Sequence, residues 1–180
     1  MVKKILFTFI AVGLLAGLGG LAGLAVFTDK VTVADNTFTS GTVDLLLGKT
    51  TALVTYSNMA PGDSTGSKSL LVTNNGTLDL SYTVSTTMDT DTGTPPLGDE
   101  LDLTIWKDVN QDGCAAGPGI GDDSAALYGP ADLNNGALGA RVLNTSTNET
   151  LCFLVEFPSA ATGPQGASAD ANFVFDATQN

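Results

Sequence analysis

The sequence predicts an all-β fold: a jelly-roll or immunoglobulin-like β-sandwich, preceded by an N-terminal hydrophobic signal helix and carrying long Gly/Asp-rich loops. Three observations predict it. After residue 25, short runs alternate apolar and polar residues, the period of a half-buried strand. Long segments with helical period are missing. Turn signals built from Pro, Gly, Asn and Asp separate the runs at regular intervals. No segment repeats at a fixed period, which argues against a solenoid.

Met1 to Ala25 reads as a secretory signal. Lys3 and Lys4 supply the positive start, an apolar run follows from Ile5, and Gly23 and Ala25 are the small residues before a cut at Val26. The run just reaches the ~20 residues that span a bilayer, so an uncleaved membrane anchor is the alternative. Residues 26–180 then form one domain. Val31 and Val33 alternate with Lys30, Thr32 and Ala34, and Phe38 to Leu47 is a second candidate strand with Gly41 as a bend. Leu53 to Ser57 alternates before the turn Met59-Ala60-Pro61-Gly62-Asp63. Ser69 to Thr73 is closed by the turn Asn74-Asn75-Gly76. Leu78, Leu80, Tyr82 and Val84 form the clearest amphipathic strand. A loop follows over Asp89–Asp99, then a strand over Leu101–Trp106. Asp108 to Leu138 reads as a long polar excursion with a short helix near Ala125–Tyr128. Leu151 to Phe157 is a strand with Cys152 on its opposite face, stopped by Pro158. After a Gly/Pro loop over Ser159–Ser168, Ala171 to Thr178 closes the chain with Phe173, Phe175 and Ala177 on one face.

Seven basic residues face 19 acidic ones. Removing the leader leaves five basic and all 19 acidic, a net charge of −14. That field repels nucleic acid, which is excluded as a partner, and suits an extracellular protein. Cys114 and Cys152 are the two cysteines. In a secreted chain they pair by default, closing a loop worth about 3–4 kcal/mol; two buried thiols are the alternative.

The 180 residues contain no histidine, so Ser-His-Asp, Cys-His and His-ligated zinc chemistry have no residues to use, and no catalytic residue is assigned. One motif points to a cation. Asp108, Asn110, Asp112 and Gly113 read D-x-N-x-D-G, the first half of a calcium loop. Its bidentate twelfth position is Gly119, so Asp122 and Asp123 are the candidates to complete it. The alternative is an Asx-rich turn without metal. Three N-x-[ST] sequons, at Asn75, Asn144 and Asn148, matter only where a glycosylation machinery exists.

These residues carry a family resemblance. Phe27-Thr28-Asp29, Asn36 through Leu45, Ser57 through Asp63, Val72 through Leu78 and Phe173 through Gln179 occur in an order and spacing that resemble the TasA/camelysin family of secreted biofilm-matrix proteins. The resemblance implies a jelly roll, export by a dedicated signal-peptide route, and assembly into extracellular fibres. It also implies β-strand donation, with Val26–Ala34 entering the next subunit of a head-to-tail homopolymer. Camelysin-like relatives carry a metallopeptidase label that these residues do not support.

The leading expectation is thus a secreted subunit of a matrix fibre or surface layer, whose partners are itself, other matrix or surface proteins, and signal peptidase during export. The alternative is a monomeric or anchored adhesion module stabilised by calcium, and last a camelysin-like peptidase.

Overall fold

The computed structural model describes residues 39–51, 53–54, 58–121 and 123–180. The leader over 1–25, the candidate donor over 26–34, the strand residues Thr55, Tyr56 and Ser57, and Asp122 lie outside them. Eight strands run in order: β1 (Leu45–Leu47), β2 (Lys68–Asn74), β3 (Leu80–Asp91), β4 (Asp102–Asp108), β5 (Tyr128–Asp132), β6 (Ala137–Leu143), β7 (Asn148–Glu156) and β8 (Ala169–Gln179). A single helical turn, α1 (Leu97–Glu100), and a 3-10 turn (Leu133–Asn135) interrupt them. Among the described residues no helix is long and apolar enough to cross a membrane.

The strands form two sheets, β1-β2-β7-β4-β5 and β6-β3-β8, with every pairing antiparallel. A jelly roll of eight strands sets its second, seventh, fourth and fifth strands in one sheet, and its first, eighth, third and sixth in the other. Here β2-β7-β4-β5 reproduces the first of these quartets, and β6-β3-β8 supplies three members of the second. β1 joins the outside of β2 instead. Among the described residues, β8 is therefore paired on one side only.

Alternation builds the core. Leu80, Tyr82 and Val84 on β3 face Leu70 and Val72 on β2, Leu151, Phe153 and Val155 on β7, and Leu103 and Ile105 on β4, all buried. Each side chain stabilises the sandwich by about 1.5–3 kcal/mol. The opposite face of β4 and β7 has a second, smaller core. Residues 109–121 and 123–127 fold over it, and Trp106, Cys114 and Cys152, all fully buried, pack there with Leu154.

Several elements differ from expectation. Of the candidate strand over Phe38–Leu47, Phe38 lies outside the described residues, and from Thr39 onward the strand covers only Leu45–Leu47. Before it the chain runs against the β2–β3 turn, where the Thr77 N–H donates to the Thr42 carbonyl and the Thr42 N–H to Thr77 Oγ1. Leu53 lies in a bend. The helix expected near Ala125–Tyr128 is absent: Leu127 N–H donates to the Ile105 carbonyl, and β5 starts at Tyr128. β5 escapes the pattern because Gly129 and Pro130 are poor strand formers, tolerated at a sheet edge. β6 escapes it because Leu138 and Leu143 both face the core although five residues apart. A register shift between Tyr82 and Val84 on the partner strand changes the phase of the alternation.

Candidate functional site

β8 carries Ala169, Ala171, Phe173, Phe175 and Ala177 on its inward face, and none is fully buried. Phe173 meets Phe153 at 4.8 Å between ring centroids, and Phe175 meets Tyr82 at 6.1 Å. Beyond these rings the two sheets part around a cavity of about 1070 Å³. Its lining includes Leu47, Leu70, Val155 and Phe157 from the larger sheet, Met59 from the β1–β2 connection, and Phe173 and Phe175 from β8. Among the described residues five strands of the larger sheet face three of the smaller, and the cavity lies where the two sheets are not in contact. The inward alternation of Ala171 to Thr178 was legible; the cavity was not, because strand order is not local in sequence.

The Asp108 loop sits on the other face of the larger sheet. The backbone of Asp108–Gly113 folds on its own side chains. Asp108 accepts from the Asp112 N–H at 3.2 Å and the Gly113 N–H at 3.1 Å. Asn110 Oδ1 accepts from the Asp112 N–H at 3.1 Å, and Asn110 Nδ2 donates to Asp112 Oδ2 at 3.1 Å. Asp112 Oδ1 accepts from the Ala115 N–H at 2.8 Å. Asp123 reaches back to accept from the Val109 N–H and from Trp106 Nε1, both at 3.2 Å. One carboxylate oxygen from each of Asp108, Asp112 and Asp123 lies within 4.8 Å of the others. The structure thus brings together four of the five residues read as ligands, Asp108, Asn110, Asp112 and Asp123; Asp122 lies outside the described residues. Cys114 and Cys152 are joined, with sulfurs 1.99 Å apart, and anchor the loop to β7.

A buried charged cluster went unread in the sequence. Glu149 on β7 accepts from the Tyr82 hydroxyl at 2.5 Å and from Arg141 Nε at 2.8 Å. Its other oxygen meets Arg141 Nη2 at 2.5 Å and Lys107 Nζ at 3.6 Å. Burial would raise the Glu149 pKa, but the hydrogen bonds from Arg141 and Tyr82 and the charges of Arg141 and Lys107 hold it below the usual carboxylate range. Burial and the Glu149 carboxylate push Tyr82 far above a normal phenol. The cluster ties β7 and β4 of one sheet to β3 and β6 of the other. With Glu149 only 5 % exposed, it is closed to a substrate. The only sequence signal at Glu149 was a sequon, which says nothing of burial.

A family model described as camelysin metallo-endopeptidase matches residues 1–107. No curated protein matches the chain. The family match covers β1 to most of β4 and stops before the Asp108 loop and both cysteines.

Proposed function

The chain belongs to the camelysin metallo-endopeptidase family, and from that membership we propose a secreted structural subunit, whose β8 edge takes the Val26–Ala34 segment of a neighbouring copy as an added strand. The observation that carries this reading is that β8, among the described residues, is paired on one side only, beside a cavity floored by Phe173 and Phe175. An unpaired strand edge displays a row of backbone donors and acceptors, and an incoming strand satisfies them while its alternate side chains fill the cavity. Each copy offers one donor and one acceptor, so the contact is head to tail and extends into a filament rather than closing. Other matrix or surface proteins meet such a filament along its sides, signal peptidase frees its donor end, and the extracellular matrix or cell surface is its place.

The family description implies a metal-dependent peptidase. The donor set does not fit a catalytic zinc: the chain has no histidine, and both cysteines are consumed in a disulfide. No hydrolytic step is derived for these residues.

Deleting Val26–Ala34 tests the main reading. The expected product is a folded monomer with an unchanged circular dichroism spectrum and no filaments under negative stain. Filaments that survive the deletion overturn strand donation.

A second reading, a calcium-stabilised adhesion module, is favoured by one observation. Asp108, Asp112 and Asp123 bring three negative charges together, and among the described residues none of them forms an ion pair. A bound calcium ion relieves that repulsion and raises the melting temperature, and EDTA reverses the rise. Identical melting curves with calcium and with EDTA remove calcium from the account.

A further inference from the structure

The inference here rests on the strand-donation reading and specifies its register. The edge of β8 offers two candidate anchor points for an incoming strand. Along its outward face run Asp170, Asn172, Val174, Asp176 and Thr178. Asn172 Nδ2 donates to Asp89 Oδ2 at 2.8 Å. Asp170 and Asp176 are exposed, and among the described residues neither forms an ion pair. The incoming segment, Val26-Phe27-Thr28-Asp29-Lys30-Val31-Thr32-Val33-Ala34, holds Lys30 as its one basic residue. If Val31 and Val33 turn into the cavity, Lys30 turns outward with Thr28 and Thr32, because strand side chains alternate.

Two carboxylates and two strand directions give four alignments that set Lys30 beside a carboxylate; topology chooses the direction, and the cavity chooses between the two registers that remain. In a jelly roll the first strand runs antiparallel to the last, and every pairing observed in this chain is antiparallel. Antiparallel pairing with Lys30 opposite Asp176 places Val31 beside Phe175 and Val33 beside Phe173, the two rings that floor the cavity. It places Asp29 beside Ala177, past the residues that line the cavity. The antiparallel alternative, Lys30 opposite Asp170, puts Asp29 beside Ala171 inside the cavity lining, where an unpaired carboxylate is costly, and carries Val33 past the start of β8 at Ala169. We infer that Lys30 of one copy lies opposite Asp176 of the next in an antiparallel strand pair on β8, and that this ion pair sets the register of the filament contact.

The test uses the secreted chain, residues 26–180. Lys30→Glu sets two like charges opposite each other across the pair and raises the critical concentration for filaments about tenfold. Adding Asp176→Lys to it restores assembly to within about twofold of the parent. Rescue by Asp170→Lys instead, or wild-type assembly by Lys30→Glu alone, overturns the register. A second measurement is independent of charge. Thr32→Cys with Val174→Cys, opposite each other in this alignment, gives a covalent ladder on oxidation, and a lack of ladder from assembled filaments overturns it too. Deleting Val26–Ala34 separates the two levels: loss of filaments on deletion with no effect of Lys30→Glu sinks the register alone. A parent protein that stays monomeric, its own segment closing the edge, sinks both.

Discussion

Glu149 is the residue on which the interior of the sandwich is most exposed to pH. Its carboxylate is buried and held by Tyr82, Arg141 and Lys107, so removing its charge strands partners that were desolvated to meet it. Glu149→Gln is expected to cost about 3 kcal/mol, read as a shift in the urea midpoint. The sign with pH follows from the depressed pKa. A carboxyl that ionises more readily when folded adds stability above its unfolded value, near 4.3, and that contribution fades as pH falls through the lower folded value. The parent protein should therefore lose more stability between about pH 5 and pH 3 than Glu149→Gln does. An equal loss in both would show that Glu149 is not the group titrating. None of this was legible in sequence. Tyr82 and Glu149 are 67 residues apart and become neighbours only through the facing of two sheets.

At the scale of elements, the sequence carried the regular strands well and the interrupted ones badly. β3 and β8 alternate over Leu80–Val84 and Ala169–Ala177. On β2, β4 and β7 the core-facing residues Leu70, Val72, Leu103, Ile105, Leu151, Phe153 and Val155 keep a period of two, although β4 and β7 are buried on both faces, so these inward faces could be read directly. β6 hides behind its register shift, and β5 behind Gly129 and Pro130. A Cβ at Gly129, which has a positive φ of 77°, would overlap the Leu103 carbonyl oxygen, so only glycine brings β5 against β4 at this point. The 109–127 excursion is irregular, yet it is fixed: the Cys114–Cys152 bridge and the buried indole of Trp106 hold it to β4 and β7. Sequence named the cysteines and the acidic residues but not the face they cover. Replacing both cysteines by serine should lower stability by about 4 kcal/mol, the loop-closure contribution of a cross-link that spans 38 residues. Trp106 is the only tryptophan, so its emission reports the second core alone and should shift to the red as water reaches it. Emission unchanged by the substitution would mean that packing of the indole, not the bridge, holds the loop.

For the whole molecule, charge and topology oppose each other. Among the described residues topology leaves β8 paired on one side only, and in the proposed filament each copy lends one strand to that edge. Charge resists the meeting, since residues 26–180 carry a net charge of −14. Two such bodies about 40 Å apart, roughly the diameter of a domain this size, repel by about 20 kcal/mol in unscreened water. The proposed Lys30–Asp176 pair would return at most about 1 kcal/mol. The magnitudes decide the salt dependence. The Debye length falls from about 30 Å at 0.01 M salt to about 8 Å at 0.15 M, which removes nearly all of the long-range repulsion while weakening one short contact slightly. Strand pairing and the apolar filling of the cavity are unaffected by this screening. Filaments should therefore form at a lower critical concentration in 0.15 M than in 0.01 M sodium chloride, measured by pelleting across a dilution series. The reverse trend would mean that assembly is driven by attraction between opposite charges, and would move the contact away from the apolar edge of β8.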